Sequence, residues 1–295
     1  MNRAGPVTIG SVTLRNRVMT ASGTAGYGTE LAGAFDLSQL GAVVVKSLAA
    51  FEWAGNAAPR LRPTAAGMLN AVGLQGPGVR YWLDHVLPGL VATGATVVAS
   101  IWGRTVDEYA EAAGMLAGAP DQVVAVEVNL SCPNVRDHGD VRTTMFAHHP
   151  ERTAEVIAAV AARAGRPCWA KLSPNTARLA DVAGAARDAG AEAVTCVNTL
   201  LGLAFDERTR RPALGAGGGG LSGRAIHPVA VRAVHDVAAS HPGLPVIGVG
   251  GIATAWDAAE FLLAGAVAVQ VGTATFADPR APIAVLRGLA DLASL

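Results

Sequence analysis

The sequence lacks the features of a disulfide-linked, nucleic-acid-binding or membrane-spanning protein. It has 3 cysteines in 295 residues. Because this number is odd and the spacing suits no metal, we expect reduced thiols and a cytoplasmic location. The formal net charge is +0 without a basic cluster, which argues against nucleic acid as a partner. No segment reaches the roughly 18 consecutive apolar residues of a membrane span, and residues 1–6 do not resemble a signal peptide.

Lysine is also scarce. Among the 23 residues that are Lys or Arg, only Lys46 and Lys171 are lysines. A lysine ammonium is a compact charge, whereas an arginine guanidinium is a planar fork. In a chain that otherwise uses arginine, these two positions are candidates for functional cations.

Short apolar segments alternate with alanine-rich helical segments along the chain. Hydrophobic residues make up 51% of it, which is enough for a substantial core. Eight strands with helices between them in this length predict an α/β fold, a single (β/α)8 TIM barrel forming one domain over residues 1–295. No GxGxxG motif follows the first strand, which argues against an open dinucleotide-binding sheet. Residues 7–14 predict an N-terminal β-hairpin that turns at Gly10 and Ser11.

The periodicity also predicts the bounds of the individual elements. The predicted strands are residues 18–21, 42–45, 96–101, 123–130, 168–172, 193–197, 246–249 and 266–271. The predicted helices are residues 29–40, 81–92, 105–118, 150–164, 176–190, 228–240 and 255–264.

Polar residues and glycines follow the ends of the predicted strands, which in a (β/α)8 barrel form the face that carries the active site. Both lysines lie at this face, which strengthens the case for their function. Gly250 and Gly251 follow the seventh strand, and Gly272 and Thr273 follow the eighth. These are the positions where such barrels commonly bind phosphate through backbone N–H groups. We therefore expect a phosphorylated ligand at the barrel mouth, with ordinary tight turns as the alternative.

The lysines leave more than one kind of chemistry open. A lysine beside an electron-rich ring stabilises the negative charge that develops on reduction, as a flavin requires. A lysine in an aldolase-type barrel instead forms a Schiff base with a phosphorylated sugar. A barrel that binds a phosphate ligand or a partner subunit without turnover is the third interpretation.

Cys132 lies just beyond the fourth predicted strand, whereas Cys168 and Cys196 lie inside apolar strands and are expected to be core residues. Pro133 biases Cys132 toward extended backbone, so regular structure should end there. A thiol in this position is a candidate base when cationic neighbours stabilise its thiolate. The alternative bases on the same connection are His138, His148 and His149.

Asparagines recur on the same predicted rim. Carboxamides both donate and accept hydrogen bonds, so a cluster of them suits a planar ring with amide and carboxylate edges. The four are Asn70, Asn129, Asn134 and Asn198. The Gly- and Arg-rich segment 206–223 predicts a flexible loop over the barrel mouth.

These segments together resemble the class 1 dihydroorotate dehydrogenases over nearly the whole chain. The Asn-Leu-Ser-Cys-Pro-Asn element at residues 129–134, combined with the two spaced lysines, is the specific part of the resemblance. Residues 201–212 followed by Gly-Gly-Leu-Ser-Gly are closer to the 1B branch than to the 1A branch. The other matching segments are residues 19–23, 67–75, 171–175, 198–200 and 248–251.

The resemblance implies a barrel with one FMN per chain that oxidises (S)-dihydroorotate to orotate in de novo pyrimidine biosynthesis. Cys132 would take the C5 proton while hydride passes from C6 to N5 of FMN. The implied substrate positions are Lys46, Asn70, Ala71, Val72, Gly73, Leu74, Asn129, Asn134, Asn198 and Thr199. The implied FMN positions are Ser22, Lys46, Ser47, Ser100, Asn129, Lys171, Val197, Gly223, Gly250, Gly251, Gly272 and Thr273. No metal site is implied.

The 1B branch further implies a homodimer that pairs into a heterotetramer with a second subunit. That partner would carry FAD and a 2Fe-2S cluster and pass electrons to NAD, since this chain has fewer cysteines than a cluster requires. A fumarate-linked 1A-type enzyme and a paralogue acting on another dihydropyrimidine are the alternatives. Ser100 stands where 1B relatives usually carry asparagine, and residues 48–58 differ from the commoner family version, so both departures bear on substrate and partner choice.

Overall fold

The structure, a computed structural model, describes residues 5–131 and 145–292. Its centre is an eight-stranded parallel sheet in which the strands pair in the order β1-β8-β7-β6-β5-β4-β3-β2. The strands are β1 (Val18–Thr20), β2 (Val43–Val44), β3 (Val97–Ile101), β4 (Val123–Asn129), β5 (Cys168–Leu172), β6 (Ala193–Cys196), β7 (Val246–Val249) and β8 (Ala268–Val271).

The sheet closes into a barrel where its two edge strands meet. Met19 of β1 forms a parallel bridge with Ala42, just before β2. The N–H of Gly41 donates to the carbonyl oxygen of Val18 at 2.8 Å. Closure satisfies the backbone groups that an open edge would leave unpaired. The predicted (β/α)8 barrel is therefore confirmed.

Helices cover the outside of the barrel, so its strands are buried on both faces, as their β-branched composition predicts. None of the helices in residues 5–131 and 145–292 is long and apolar enough to cross a membrane. The helical segments are Val79–Tyr81, Trp82–Val86, Leu87–Ala92, Val106–Leu116, Pro150–Ala161, Leu179–Asp188, His227–Ser240, Ala255–Leu263, Ala274–Ala277 and Ala281–Leu292. Single 3-10 turns are formed by Leu37–Gln39, Phe146–His148 and Arg224–Ile226.

The barrel interior is filled in layers. At its N-terminal end, one inward-facing residue from each strand, including Met19, Trp169 and Ile247, packs in a single apolar cluster. The predicted hairpin is confirmed: Val7–Ile9 pairs antiparallel with Val12–Leu14, and its apolar side chains join this cluster. Side chains two positions further along each strand point to the same side. They therefore face the barrel axis one layer closer to the C-terminal end.

The predicted helix over residues 29–40 is wrong. The segment forms turns and only the short 3-10 turn Leu37–Gln39. The carboxylate of Glu30 accepts hydrogen bonds from the N–H groups of Tyr27 at 2.8 Å and Gly28 at 2.7 Å. These side-chain bonds pair backbone N–H groups in a local turn, so the segment does not start a helix. The glycines in and beside the segment also lower its helix propensity.

A second sheet was missed by the sequence analysis. Four short strands form an antiparallel sheet in the order Leu200–Gly202, Gly219–Ser222, Gly67–Asn70 and Leu61–Thr64. Part of the predicted loop 206–223 is therefore a strand. The glycines of these strands lack β propensity, so the composition pointed to loops. The helices Ala274–Ala277 and Ala281–Leu292 were also not predicted.

The two described cysteines allow a direct test of the core. Burial and the nearby Glu192 raise the pKa of Cys168 to about 12, and burial raises the pKa of Cys196 to about 12. Because the thiolate is the reactive form, neither thiol should react with an alkylating reagent at pH 8 while the protein is folded. Mass-spectrometric mapping should find both labelled only after denaturation. Labelling of either residue in the folded protein would contradict the assigned core.

Candidate active site

A cleft lies at the C-terminal ends of the barrel strands, beside the antiparallel sheet. It encloses about 1060 Å³, counting the part that opens to solvent, which is ample for a cofactor together with a small substrate. Most of the site residues predicted from the sequence line it. These are Ser22, Lys46, Ser47, Asn70, Val72, Gly73, Leu74, Asn129, Lys171, Val197, Asn198, Thr199, Gly223, Gly250, Gly251, Gly272 and Thr273.

Four other predicted site residues are placed differently. Ala71 is buried in a small cluster with Leu69 and Leu214, and Ser100 is buried in the barrel; neither lines the cleft. Cys132 and Asn134 lie outside the described residues.

The cleft also has lining residues that the sequence analysis missed. Met68 and Ser222 belong to the antiparallel sheet, which was not predicted, and Phe276 belongs to a helix that was not predicted. Alternation along strand Gly67–Asn70 places Met68 and Asn70 on the same side, so recognising that strand would have identified Met68. The remaining lining residues are Ala21, Gly23, Thr24, Leu61, Ile226 and Val249.

The floor of the cleft carries a buried cation. Lys171 lies on β5 and is 4% exposed. Its Nζ is 3.4 Å from Glu127 Oε1 and 3.4 Å from Gln270 Oε1. An ammonium has three N–H donors, so among the described residues these two partners leave one donor for a ligand.

Glu127 was overlooked in the sequence analysis, although it is the acidic residue within the valine-rich strand β4. It precedes Asn129 by two positions, so both side chains lie on the same side of the strand. Its Oε2 accepts hydrogen bonds from Gln270 Nε2 at 2.6 Å and Thr195 Oγ1 at 3.0 Å. A charged residue interrupting an apolar strand was the available signal, since a buried charge requires partners.

Carboxamides and hydroxyls form a connected wall next to Lys171. Asn198 Nδ2 donates to Asn129 Oδ1 at 3.2 Å and to Ser131 Oγ at 3.0 Å. Ser131 Oγ donates in turn to the carbonyl oxygen of Lys171 at 3.1 Å. These bonds fix the orientation of both side-chain amides before a ligand binds.

A row of serines continues from this wall. Asn129 Nδ2 donates to Ser47 Oγ at 3.0 Å. The Ser47 hydroxyl lies 3.2 Å from that of Ser22 and 2.9 Å from that of Ser100. Ser100 therefore supports Ser47 from behind and does not itself reach the cleft.

Lys46, the second lysine of the cleft, is held by a backbone carbonyl and an aromatic side chain. Its Nζ donates to the Tyr27 hydroxyl at 2.8 Å and to the carbonyl oxygen of Gln75. Burial and the neighbouring Glu30 raise the pKa of Tyr27 above its usual value, so this phenol stays neutral. The ammonium is thus anchored beside residues 70–75.

The divergent segment 48–58 supports those same residues. Phe51 and Trp53 pack edge-to-face with Trp102, with ring centroids 5.8 and 6.1 Å away, respectively. Trp53 Nε1 donates to the carbonyl oxygen of Gly73 at 2.9 Å. The unusual aromatic residues therefore fix a segment that lines the cleft.

Glycine turns form the far end of the cleft. Gly223, Gly250 and Gly251 have φ values of +88°, +143° and +70°. A Cβ on Gly251 would lie 2.9 Å from the carbonyl oxygen of Gly223 and 2.7 Å from Cβ of His227. Only glycine fits such a close approach of two loops, and such turns bring backbone N–H groups to a ligand.

Comparison with known proteins agrees with this geometry. The family described as dihydroorotate dehydrogenase matches residues 6–292. A relative from Desulforudis audaxviator, named dihydroorotate dehydrogenase B (NAD(+)), catalytic subunit, is 49% identical over 283 residues, covering 96% of this chain and 90% of the relative. A relative of the same name from Geotalea uraniireducens is 46% identical over 283 residues, covering 96% of this chain and 91% of the relative.

Relatives also carry the name of the other branch. A protein from Lactiplantibacillus plantarum, named dihydroorotate dehydrogenase A (fumarate), is 45% identical over 285 residues. That alignment covers 96% of this chain and 92% of the relative. The matches span both the barrel and the residues that line its cleft, so this chain belongs to the dihydroorotate dehydrogenase family.

Proposed function

We propose that this chain, acting as one barrel domain over residues 1–295, oxidises (S)-dihydroorotate to orotate with FMN in de novo pyrimidine biosynthesis in the cytoplasm. One observation carries the proposal beyond family membership. Two anchored lysines, a fixed carboxamide wall and a glycine-lined end meet in one cleft at the catalytic face of the barrel.

The glycine-lined end fits the phosphate of FMN. Gly250 and Gly251 follow β7, and Gly272 and Thr273 follow β8, which is the usual phosphate position in these barrels. Gly251 packs so closely against Gly223 and His227 that no side chain fits there, and this tight turn places bare backbone at the wall of the cleft. The hydroxyl of Thr273 donates to Ser222 Oγ at 2.8 Å, which fixes the rim of this end.

The floor fits the flavin ring. Lys171 directs a buried cation into the cleft, and Ser22, Ser47 and Asn129 present hydrogen-bonding groups beside it. Ser100 acts through Ser47. FMN held by these residues would supply the acceptor for the hydride that leaves C6 of the substrate.

The remaining polar residues fit dihydroorotate, a planar-edged ring with amide groups and one carboxylate. Lys46 supplies a cation for the carboxylate, and Asn70, Asn129, Asn198 and Thr199 supply donors and acceptors for the amide edges. Ala71, Val72, Gly73 and Leu74 shape the segment that Trp53 and Asn56 hold in place. Asn134 is included among the proposed substrate-binding residues because of its position in the family motif.

Cys132 is the proposed base. It directly follows Ser131 in the chain, just past the end of β4, and matches the base in the family motif. Its thiolate takes the C5 proton as hydride leaves C6, and the C5–C6 double bond of orotate forms. No covalent bond between sulfur and substrate is required.

This mechanism predicts the behaviour of Cys132→Ser. A serine hydroxyl is a far weaker base at neutral pH, so the variant should bind FMN normally but reduce it with dihydroorotate roughly 100-fold more slowly or worse. Anaerobic stopped-flow absorbance of the FMN-loaded protein measures this half-reaction. Cys168→Ala removes a core thiol away from the cleft and should retain the wild-type rate.

Two results would contradict the proposal. The proposed function is contradicted if the wild-type protein does not bind FMN, or if dihydroorotate does not reduce the bound FMN. If Cys132→Ser reduces FMN at the wild-type rate, only the assignment of Cys132 as the base is contradicted.

The electron acceptor and the partner subunit are a further part of the proposal. We propose a homodimer that pairs with a subunit carrying FAD and a 2Fe-2S cluster, which passes electrons to NAD. The relatives named catalytic subunit of the NAD(+) enzyme support this assembly, whereas the relative named for fumarate supports direct reoxidation by fumarate.

An acceptor assay separates the two. The isolated FMN-loaded chain should oxidise dihydroorotate with an artificial dye but with neither NAD nor fumarate. Addition of an FAD and iron–sulfur subunit encoded in the same genome should confer NAD reduction and yield a larger species on size-exclusion chromatography. Rapid turnover of the isolated chain with fumarate would assign it to the other acceptor class.

A further inference from the structure

Glu127 has no part in the proposed reaction, yet it occupies the centre of the barrel. Its side chain is 0% exposed and lies one layer below the cleft, which it does not line. A carboxylate is strongly disfavoured in such an environment unless it is paired and hydrogen-bonded. Its retention in an otherwise apolar strand therefore calls for a specific partner.

The partners show which group it serves. Gln270 and Thr195 both donate to Oε2, so this oxygen is tied to β8 and β6. Oε1 has no hydrogen-bond partner within the described residues, and the cation nearest to it is Lys171 Nζ at 3.4 Å. Two neutral donors thus hold the carboxylate so that its other oxygen faces the ammonium.

The Lys171 ammonium lies between two environments. On its barrel side are Glu127 and Gln270, whose Oε1 atoms are each 3.4 Å from Nζ. Above it is the cleft, which Lys171 lines. Of the side chains that contact Glu127, Lys171 is the one that lines the cleft, so it is the direct link between Glu127 and a ligand.

We propose that Glu127 is a positioning residue that keeps the Lys171 ammonium directed into the cleft, and that it thereby sets the reduction potential of bound FMN. This inference rests on the proposed function. A flavin gains negative charge at its pyrimidine edge on two-electron reduction, and a fixed cation nearby favours the reduced form. Glu127 supplies the counter-charge that makes a buried ammonium stable there.

Glu127→Gln tests this role with a side chain of the same size. The ammonium loses its counter-charge, and an unpaired charge is unstable in the barrel, so the Lys171 side chain turns away from its position beside the cleft. Reduced FMN then loses a charge-assisted contact, and its affinity relative to oxidised FMN should fall roughly tenfold or more. For a two-electron couple, tenfold corresponds to about 30 mV in midpoint potential.

The readout is the midpoint potential of bound FMN, measured by spectroelectrochemistry together with the dissociation constant of oxidised FMN. Lys171→Met should lower the potential in the same direction. Because Glu127 acts through Lys171, Glu127→Gln should not lower the potential any further in the Lys171→Met background. A role limited to barrel stability would instead leave the potential unchanged.

A milder pair guards against a folding defect in Glu127→Gln. Thr195→Val removes one hydroxyl that donates to Glu127 at 3.0 Å and should lower the potential to a smaller extent. Thr195→Ser keeps the hydroxyl and should restore the wild-type value. Thr153→Val is the matched control, since this buried threonine donates to the Phe146 carbonyl oxygen at 3.0 Å, and its loss should not move the potential.

The inference is overturned if Glu127→Gln and Thr195→Val both have an unchanged or raised potential, or if Glu127→Gln keeps its full effect in the Lys171→Met background. Those results leave the proposed function intact, because FMN bound to the wild-type protein is still reduced by dihydroorotate. Wild-type protein that binds no FMN would defeat the proposed function first.

Discussion

One buried ion pair governs the centre of this barrel. Oε1 of Glu127 on β4 lies 3.4 Å from Nζ of Lys171 on β5. Thr195 on β6 and Gln270 on β8 donate hydrogen bonds to the same carboxylate. An interior charge without these partners would be strongly destabilising, so the four strands must keep their register for the layer to form. Below this layer the barrel is apolar and closed by the hairpin, and above it lies the cleft.

The cleft divides its tasks between two kinds of structure. Its cations and amides are fixed by side-chain hydrogen bonds, as when Asn198 bonds to Asn129 and Ser131. Its glycine end depends instead on close backbone approach, as between Gly223 and Gly251. The first arrangement suits recognition of a polar ring, and the second suits an anion that binds to N–H groups. A phosphorylated ring cofactor requires both.

Sequence reasoning identified what depends on local pattern. The β-branched runs and capping residues predicted the barrel, and the two lysines were found because both follow or end strands at its catalytic face. It failed where contacts beyond the local pattern decide the structure. Glycine is uncommon in strands, so the strand Gly219–Ser222 and its sheet were not predicted. Hydrogen bonds from backbone N–H groups to the Glu30 side chain form turns where a helix over residues 29–40 was predicted. Glu127 was missed because its partners lie on strands distant along the chain.

A crystal structure of the protein with FMN and orotate would test the central claim most directly. The account predicts the FMN phosphate against Gly250, Gly251 and Thr273, the flavin ring over Lys171, and orotate between the ring and Asn70, Asn129 and Asn198. FMN bound outside this cleft, or a phosphate held at the Lys46 end, would contradict it.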